Sequence, residues 1–213
     1  MVLFVAVLLI SNIASTKIAS VGFMALDGGT LLFPLTYIFN DVLTEVYGYK
    51  TSRKVIWMGF ASAILMALVL GLVGALPSAS GWENQDAYMK ILGQAPRIVI
   101  ASLVAYFFGE FSNSYVLARM KILTKGKWLW TRTIGSTLVG ELFDSIIFVS
   151  IAFLGVLPAD LVIELTIFNY VFKTAVEVSF TPLTYWIINK LKKKESEDYY
   201  DIKTNFNPFR VSV

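Results

Sequence analysis

The chain has 213 residues, of which 56% are hydrophobic and only 15% charged, and its mean hydropathy is +0.67. That is too little polar surface to coat a water-soluble globule, since soluble domains carry roughly 25% charge. It has no Cys and no His, which excludes disulfides, thiolate and imidazole metal sites, haem ligation through His and any nucleophile–His relay.

A transmembrane helix needs about 20 mostly apolar residues, and six stretches qualify: 2–20, 31–49, 55–76, 98–117, 134–157 and 165–188. The expected fold is therefore an all-α membrane protein of six transmembrane helices, with a transmembrane domain over 1–191 and a cytoplasmic tail of low order over 192–213. Asp27-Gly28-Gly29 punctuates the first junction, Gly48 the second, and Pro77 and Pro158 follow spans three and five. The first stretch has no basic residue ahead of it, and Ser11, Asn12 and Lys17 follow without a small-residue cleavage site, so it reads as a retained span.

Lys50, Arg53 and Lys54 lie between spans two and three, Arg119 to Arg132 supply five cations between four and five, and Lys190 to Lys194 follow span six. The positive-inside rule places these loops and both termini in the cytoplasm of a multi-pass inner-membrane protein. The net charge of +3 thus reports topology and not nucleic-acid binding. Starting on opposite sides, two sets of three spans have the layout of an inverted repeat. Trp82 and Tyr88, in the external connection, suit the headgroup level.

Charges inside spans carry the functional signal, because each costs about 2.5–3.5 kcal/mol at the bilayer centre and must face a partner or a wet cavity. Asp41 lies ten residues into span two, about 15 Å along the helix, with Glu45 one turn further on the same face. Glu110 and Asn113 share a face of span four, Glu141 and Asp144 a face of span five, and Asn169, Lys173 and Glu177 a face of span six. Asn12 and Lys17 occur in span one. Polar faces on several spans imply a shared polar pocket. The plain alternatives are a self-neutralising Lys173–Glu177 pair, a solvated Glu45, a snorkelling Lys17, and hydrogen-bond glue from Asn12 and Asn113. Ser11, Ser15 and Ala19 form a small-residue stripe of the kind that packs helices. Phe33, Tyr37, Tyr106 and Phe143 are placed to stack on a flat ligand, although packing is the commoner use of such rings.

At these residues the chain resembles the queuosine precursor transporter family, also called the vitamin uptake transporters. The matching pieces are Ser11-Asn12, FPLTYIFNDVLTEVYGYK (33–50), SRKVIW (52–57), RIVIASLVAYFFGE (97–110), GSTLVGELFDS (135–145), NYVFKTAVEVSFTPLTY (169–185) and the ending NFNPF (205–209). The resemblance implies a six-helix carrier importing the 7-cyano or 7-aminomethyl forms of 7-deazaguanine by alternating access, without a cofactor or metal. Asn12, Pro34, Asp41, Arg97, Asp144 and Lys173 match positions shared widely in that family, whereas Glu45, Glu110, Glu141 and Glu177 vary between branches. The implied substrate-binding set is Asn12, Phe33, Asp41, Glu45, Arg97, Tyr106, Glu110, Asn113, Glu141, Asp144, Lys173 and Glu177. Asp144 and Glu141 would accept the N–H groups of the base edge, Asp41 and Glu110 would face the opposite side, and Lys173 would balance charge. The expected partners are the deazaguanine, the bilayer and a second copy in a homodimer, with no nucleic acid.

Two other classes compete. A substrate-binding component of an energy-coupling-factor importer is also a small six-span vitamin binder; it would dock partner subunits on the stripe in span one, since this chain has no phosphate loop of its own. A membrane enzyme lacks its parts, because two intramembrane aspartates occur without a Gly-x-Gly-Asp sequence. Proton coupling, sodium coupling and facilitated diffusion with intracellular trapping all fit the residues.

Overall fold

The computed structural model describes residues 1–21, 24–93, 95–155 and 158–210. Its helices are α1 (Val2–Ala14), α2 (Phe33–Tyr47), α3 (Tyr49–Ala75), α4 (Gln85–Leu92), α5 (Ala95–Leu123), α6 (Leu129–Phe153) and α7 (Ala159–Glu195). Between α1 and α2 lie a two-stranded antiparallel ribbon, β1 (Ile18–Val21) and β2 (Met24–Asp27), and a short 3-10 turn, Gly28–Leu31.

The first predicted span is corrected. Its helix stops at Ala14 and does not reach Ser20, because Ser15 and Thr16 turn their hydroxyls back onto the carbonyls of Ser11 and Ile13. The chain then doubles back through the ribbon, and the Gly28 amide closes the loop onto the Lys17 carbonyl at 2.7 Å. A Cβ on Gly28 would collide with the Ala14 carbonyl, so only glycine admits this return.

Among the described residues three helices are long and apolar enough to cross a membrane: α3, the α4–α5 run and α6. The helices α1 and α2, of 13 and 15 residues, reach only about 20–22 Å at 1.5 Å per residue. With 37 residues α7 is ample in length, but it carries charges along its course. Pro34 opens α2, where its missing N–H is harmless. Gly48, at φ 82°, turns the chain directly from α2 into α3.

Burial is inverted relative to a water-soluble protein. Leu65, Leu68 and Leu72 of α3, Leu142 and Ile146 of α6 and Ile163 and Ile167 of α7 are exposed, while Asp41, Glu110, Glu141, Asp144 and Glu177 are all buried. Lipid accepts the first group, and only a protein interior accepts the second. Helix α5 lies along α6, α7 packs on α6 and α2, and α2 also meets α3 and α5. Phe4, Leu8, Tyr49, Ile56, Phe60, Tyr106 and Phe111 fill the α1–α3–α5 side, and Ala105, Phe148, Val149 and Val162 fill the α5–α6–α7 side.

The tail does not hang free as expected. Arg53 donates to the carbonyls of Asn205 (2.9 Å) and Asn207 (2.7 Å), Trp57 Nε1 to Pro208 (2.8 Å) and the Tyr49 hydroxyl to Phe206 (3.0 Å). Phe206 meets Tyr49 and Tyr115, and Phe209 meets Trp57 and Phe107. The aromatic residues of the last segment and the bare backbone at Gly48, which the Tyr199 ring covers, together make the tail a strap.

Candidate functional site

The site begins with a close helix crossing. Gly109 on α5 and Gly140 on α6 are so near that a Cβ on either would meet the other's carbonyl oxygen, at 3.1 and 3.0 Å. The residues immediately after them are Glu110 and Glu141, so the same crossing delivers two carboxyl groups to the bundle interior. Asn113 and Asp144, each three residues further, follow on the same faces. Opposite them, α2 contributes Asp41, and α7 contributes Asn169, Lys173 and Glu177. Five carboxyl groups thus share the interior with one ammonium among the described residues, and all are buried.

Lys173 organises one half. Its Nζ lies 2.5 Å from Asp144 Oδ2 and 3.6 Å from Glu141 Oε2, and 4.9 Å from the centre of the Phe33 ring, a cation–π contact. Ser15, Thr30, Phe33, Ser102, Asp144, Phe148 and Lys173 enclose a small cavity. It offers about 10 Å³ to a water-sized sphere, space for roughly one water. Thr30 also donates to Asn169 Oδ1 at 3.3 Å. In the other half, Asn113 Nδ2 donates to Asp41 Oδ1 at 2.8 Å, Thr137 donates to Glu177, and the Asp41 and Glu177 carboxyls adjoin. The Tyr37 hydroxyl stands between the halves, fully buried, near Asp144, Glu141, Glu110 and Glu177.

Four residues of the expected set are elsewhere. Glu45 joins a separate group at the end of the bundle, with Arg132 (2.6 Å), Lys192 (2.7 Å) and Lys121 (3.6 Å) around it. Asp198 of the tail completes that group through Lys121 (2.7 Å) and Lys192 (2.8 Å). Partial burial pushes the Asp198 carboxyl up, but its hydrogen bonds from Lys121 and Lys192 outweigh this and hold it below the ordinary range. For Lys192 burial acts downward, yet Glu45 and Asp198 hold its ammonium above the ordinary range. Arg97 is exposed at the start of α5 and caps α6, donating to the carbonyls of Ile151 (2.8 Å) and Leu154 (2.7 Å). Cations belong at a helix C-terminus, where the last carbonyls lack partners. Asn12 bonds its own helix at Leu8. Tyr106 packs between Phe4 and Phe60 in the aromatic core, with its hydroxyl toward Glu110.

Other expectations also sort themselves. Phe143 faces outward, 44% exposed, and builds no ring wall. Lys17 is exposed and lies three residues beyond the end of α1, so it is not a charge within that helix. Ser11 and Ser15 are buried within the chain, so their stripe is an internal seam and not a docking surface. Lys173 turns across to α6, and its partners are Asp144 and Glu141. The site residues outside the expected binding set are Thr30, Ser102 and Thr137, with Ser15, expected as part of a packing stripe, and Tyr37, expected as a stacking ring and standing four residues before Asp41 on the same face of α2.

With this geometry in hand, known proteins can be compared. A family model described as "Putative vitamin uptake transporter" matches residues 27–187. A Bacillus subtilis (strain 168) protein named "Probable queuosine precursor transporter" is 35% identical over 158 residues, which is 74% of this chain and 69% of that protein. The Escherichia coli (strain K12) "Queuosine precursor transporter" is 26% identical over 188 residues, 86% of this chain and 80% of its own. A Haemophilus influenzae protein with the same name as the Bacillus one is 28% identical over 125 residues, 59% of this chain and 51% of its own. No solved structure matches.

Proposed function

The chain belongs to the vitamin uptake transporter family and is a multi-pass membrane transporter, not an enzyme; from that premise we propose that its passenger is a queuosine precursor, a 7-deazaguanine base. The observation that carries this reading is the buried Phe33–Lys173–Asp144–Glu141 group. A deazaguanine is flat, presents N–H donors along one edge and carries acceptors on its rings. Asp144 and Glu141 supply acceptors for that edge, Lys173 a donor for a ring or carbonyl acceptor, and Phe33 a face for stacking. An aminomethyl substituent would bring a cation, which the surplus carboxylates can hold.

A cavity with room for about one water is too small for a base. Lys173 pairs with Asp144 where the passenger's donors would bind. Loading requires α2 and α7 to draw back from α5 and α6, which is alternating access with the Gly109–Gly140 crossing as the fixed side. The six spans and both termini in the cytoplasm complete the proposal. In that orientation the Glu45 group and the strapped tail lie at the cytoplasmic end. The named relatives support the passenger, and the distribution of Lys and Arg supports the orientation.

Uptake of radiolabelled 7-cyano- and 7-aminomethyl-7-deazaguanine by the purified protein in liposomes tests this directly. Saturable uptake competed by deazaguanines, and not by adenine, is the expected result. A partner-dependent importer would be inert under the same conditions, and inert liposomes would overturn the reading.

A further inference from the structure

The interior cluster has a second half, apart from the Phe33–Lys173–Asp144–Glu141 group. Asp41 on α2, Glu110 and Asn113 on α5 and Glu177 on α7 meet on the side away from Phe33, all buried. Among the described residues, no Lys or Arg forms an ion pair with any of these three carboxyl groups. Lys173, the nearest cation, is 2.5 Å from Asp144 on the other side.

The hydrogen-bond count in this half does not close. Asn113 gives its Nδ2 to Asp41, and its Oδ1 is buried with no donor. Glu177 takes the Thr137 hydroxyl on one oxygen, its other oxygen is buried with no donor, and its carboxyl adjoins that of Asp41. Turning the Asn113 amide over would set its oxygen against the Asp41 oxygen, which again demands a hydrogen between them. Either arrangement leaves acceptors facing acceptors, and a buried acceptor without a donor is costly. What the site lacks is a donor, a proton or a cation. Among the described residues no three Asp or Glu side chains converge closely enough to hold a metal ion through carboxylates alone.

We propose that Asp41, Glu177 and Asn113, with Glu110 beside them, form a proton-binding site that couples movement of the base to a proton gradient. This rests on the carrier reading above. One O–H bond forms on a carboxyl oxygen when the site faces the acidic side and breaks when it faces the other side, and no electrons move. The link to the passenger is α7, which carries Lys173 of the base group and, one helical turn on, Glu177 of the proton site, so the two sites move together. Tyr37 from α2, Glu141 and Asp144 from α6 and Lys173 from α7 face the site, and the charge of Glu45, one turn along α2, and the Tyr106 hydroxyl beside Glu110 also act on it. The pH response therefore belongs to the set and not to one residue.

The test uses full-length protein in liposomes with labelled 7-aminomethyl-7-deazaguanine and a pH dye trapped inside. Counterflow at equal pH requires only the carrier, whereas accumulation requires coupling. The expected result is accumulation of about tenfold per unit of acid-outside gradient for one proton per base, with internal acidification on adding base. Asp41→Asn and Glu177→Gln should lose gradient-driven accumulation and base-evoked acidification. Accumulation indifferent to the pH gradient, accumulation driven by sodium instead, or no base-evoked acidification would overturn the proposal. Should the variants fail to fold, acidification in the unmutated protein still decides it. Absence of counterflow in the unmutated protein would overturn the carrier reading itself, a different failure.

Discussion

Asp41 and Glu45 stand one turn apart on the same face of α2, yet they live in opposite electrostatic settings. Glu45 is surrounded by Arg132, Lys192 and Lys121, and those cations spread outward to Asp198 and to tail carbonyls. Around Asp41, among the described residues, there are four more carboxyl groups and a single lysine, itself paired with Asp144. The first region has its charges balanced by the chain's own residues and makes a lock. The second is acid-rich inside a greasy bundle, the imbalance from which the passenger and proton proposals start. A buried charge therefore signals function only when the chain does not neutralise it.

Removing one partner from a buried pair is the harshest way to break this contrast. Lys173→Met strands Asp144 and Glu141 without their cation, and such losses typically cost about 3–5 kcal/mol. We expect a large drop in melting temperature in detergent, with Asp144→Asn restoring part of it in the double variant. Asp144→Asn alone should be milder for folding but severe for the passenger. Loss of a charge-assisted pair of hydrogen bonds, about 1.5–3 kcal/mol each, predicts base affinity weakened at least tenfold in a filter-binding titration.

The helix crossing comes next. Gly140→Ala would push a methyl group into Asn113 and Tyr37, and overpacking of this kind costs about 1–3 kcal/mol. Melting temperature and uptake rate should both fall. Glu45→Gln strands the buried Arg132 and Lys121, so it should loosen the tail and lower stability, while base affinity stays within about twofold because these cations lie apart from the Asp144 group.

The smallest effect is a pH dependence that should be nearly flat. The folded Asp198 carboxyl is held below its ordinary 3.8, so its contribution is present above that value and fades as pH falls through the depressed one. The folded Lys192 ammonium is held above its ordinary 10.5, so its contribution is present below that value and fades as pH rises through the elevated one. Protease cleavage of the tail should then change little between about pH 5 and 9, a range over which gradient-driven uptake should change strongly.

Much of this was legible in the sequence, for reasons that also explain the failures. Spacings of three and four residues fix which side chains share a helix face, so Glu141 with Asp144 and Lys173 with Glu177 could be read as interior pairs. They cannot reveal which distant loop returns to a given turn. Glu45 was grouped with Asp41 because its cations arrive from 76, 87 and 147 residues away. Arg97 carries a charge in a plausible place, but its use as a cap on α6 depends on where α6 ends. Span one was overdrawn because an apolar run does not distinguish a helix from the ribbon that follows Ser15. The tail was read as loose because its polar composition hides Phe206 and Phe209, which hold it to Trp57 and Tyr49. No spacing rule exposes the size of the cavity or the pairing that closes it.

The decisive measurement is equilibrium binding of labelled 7-aminomethyl-7-deazaguanine to purified protein, compared across the unmutated chain, Asp144→Asn and Glu45→Gln. The account predicts saturable binding that Glu45→Gln preserves and Asp144→Asn weakens at least tenfold, the change expected from about 1.4 kcal/mol or more. Equal binding by the unmutated chain and Asp144→Asn, or equal loss in both variants, would contradict it.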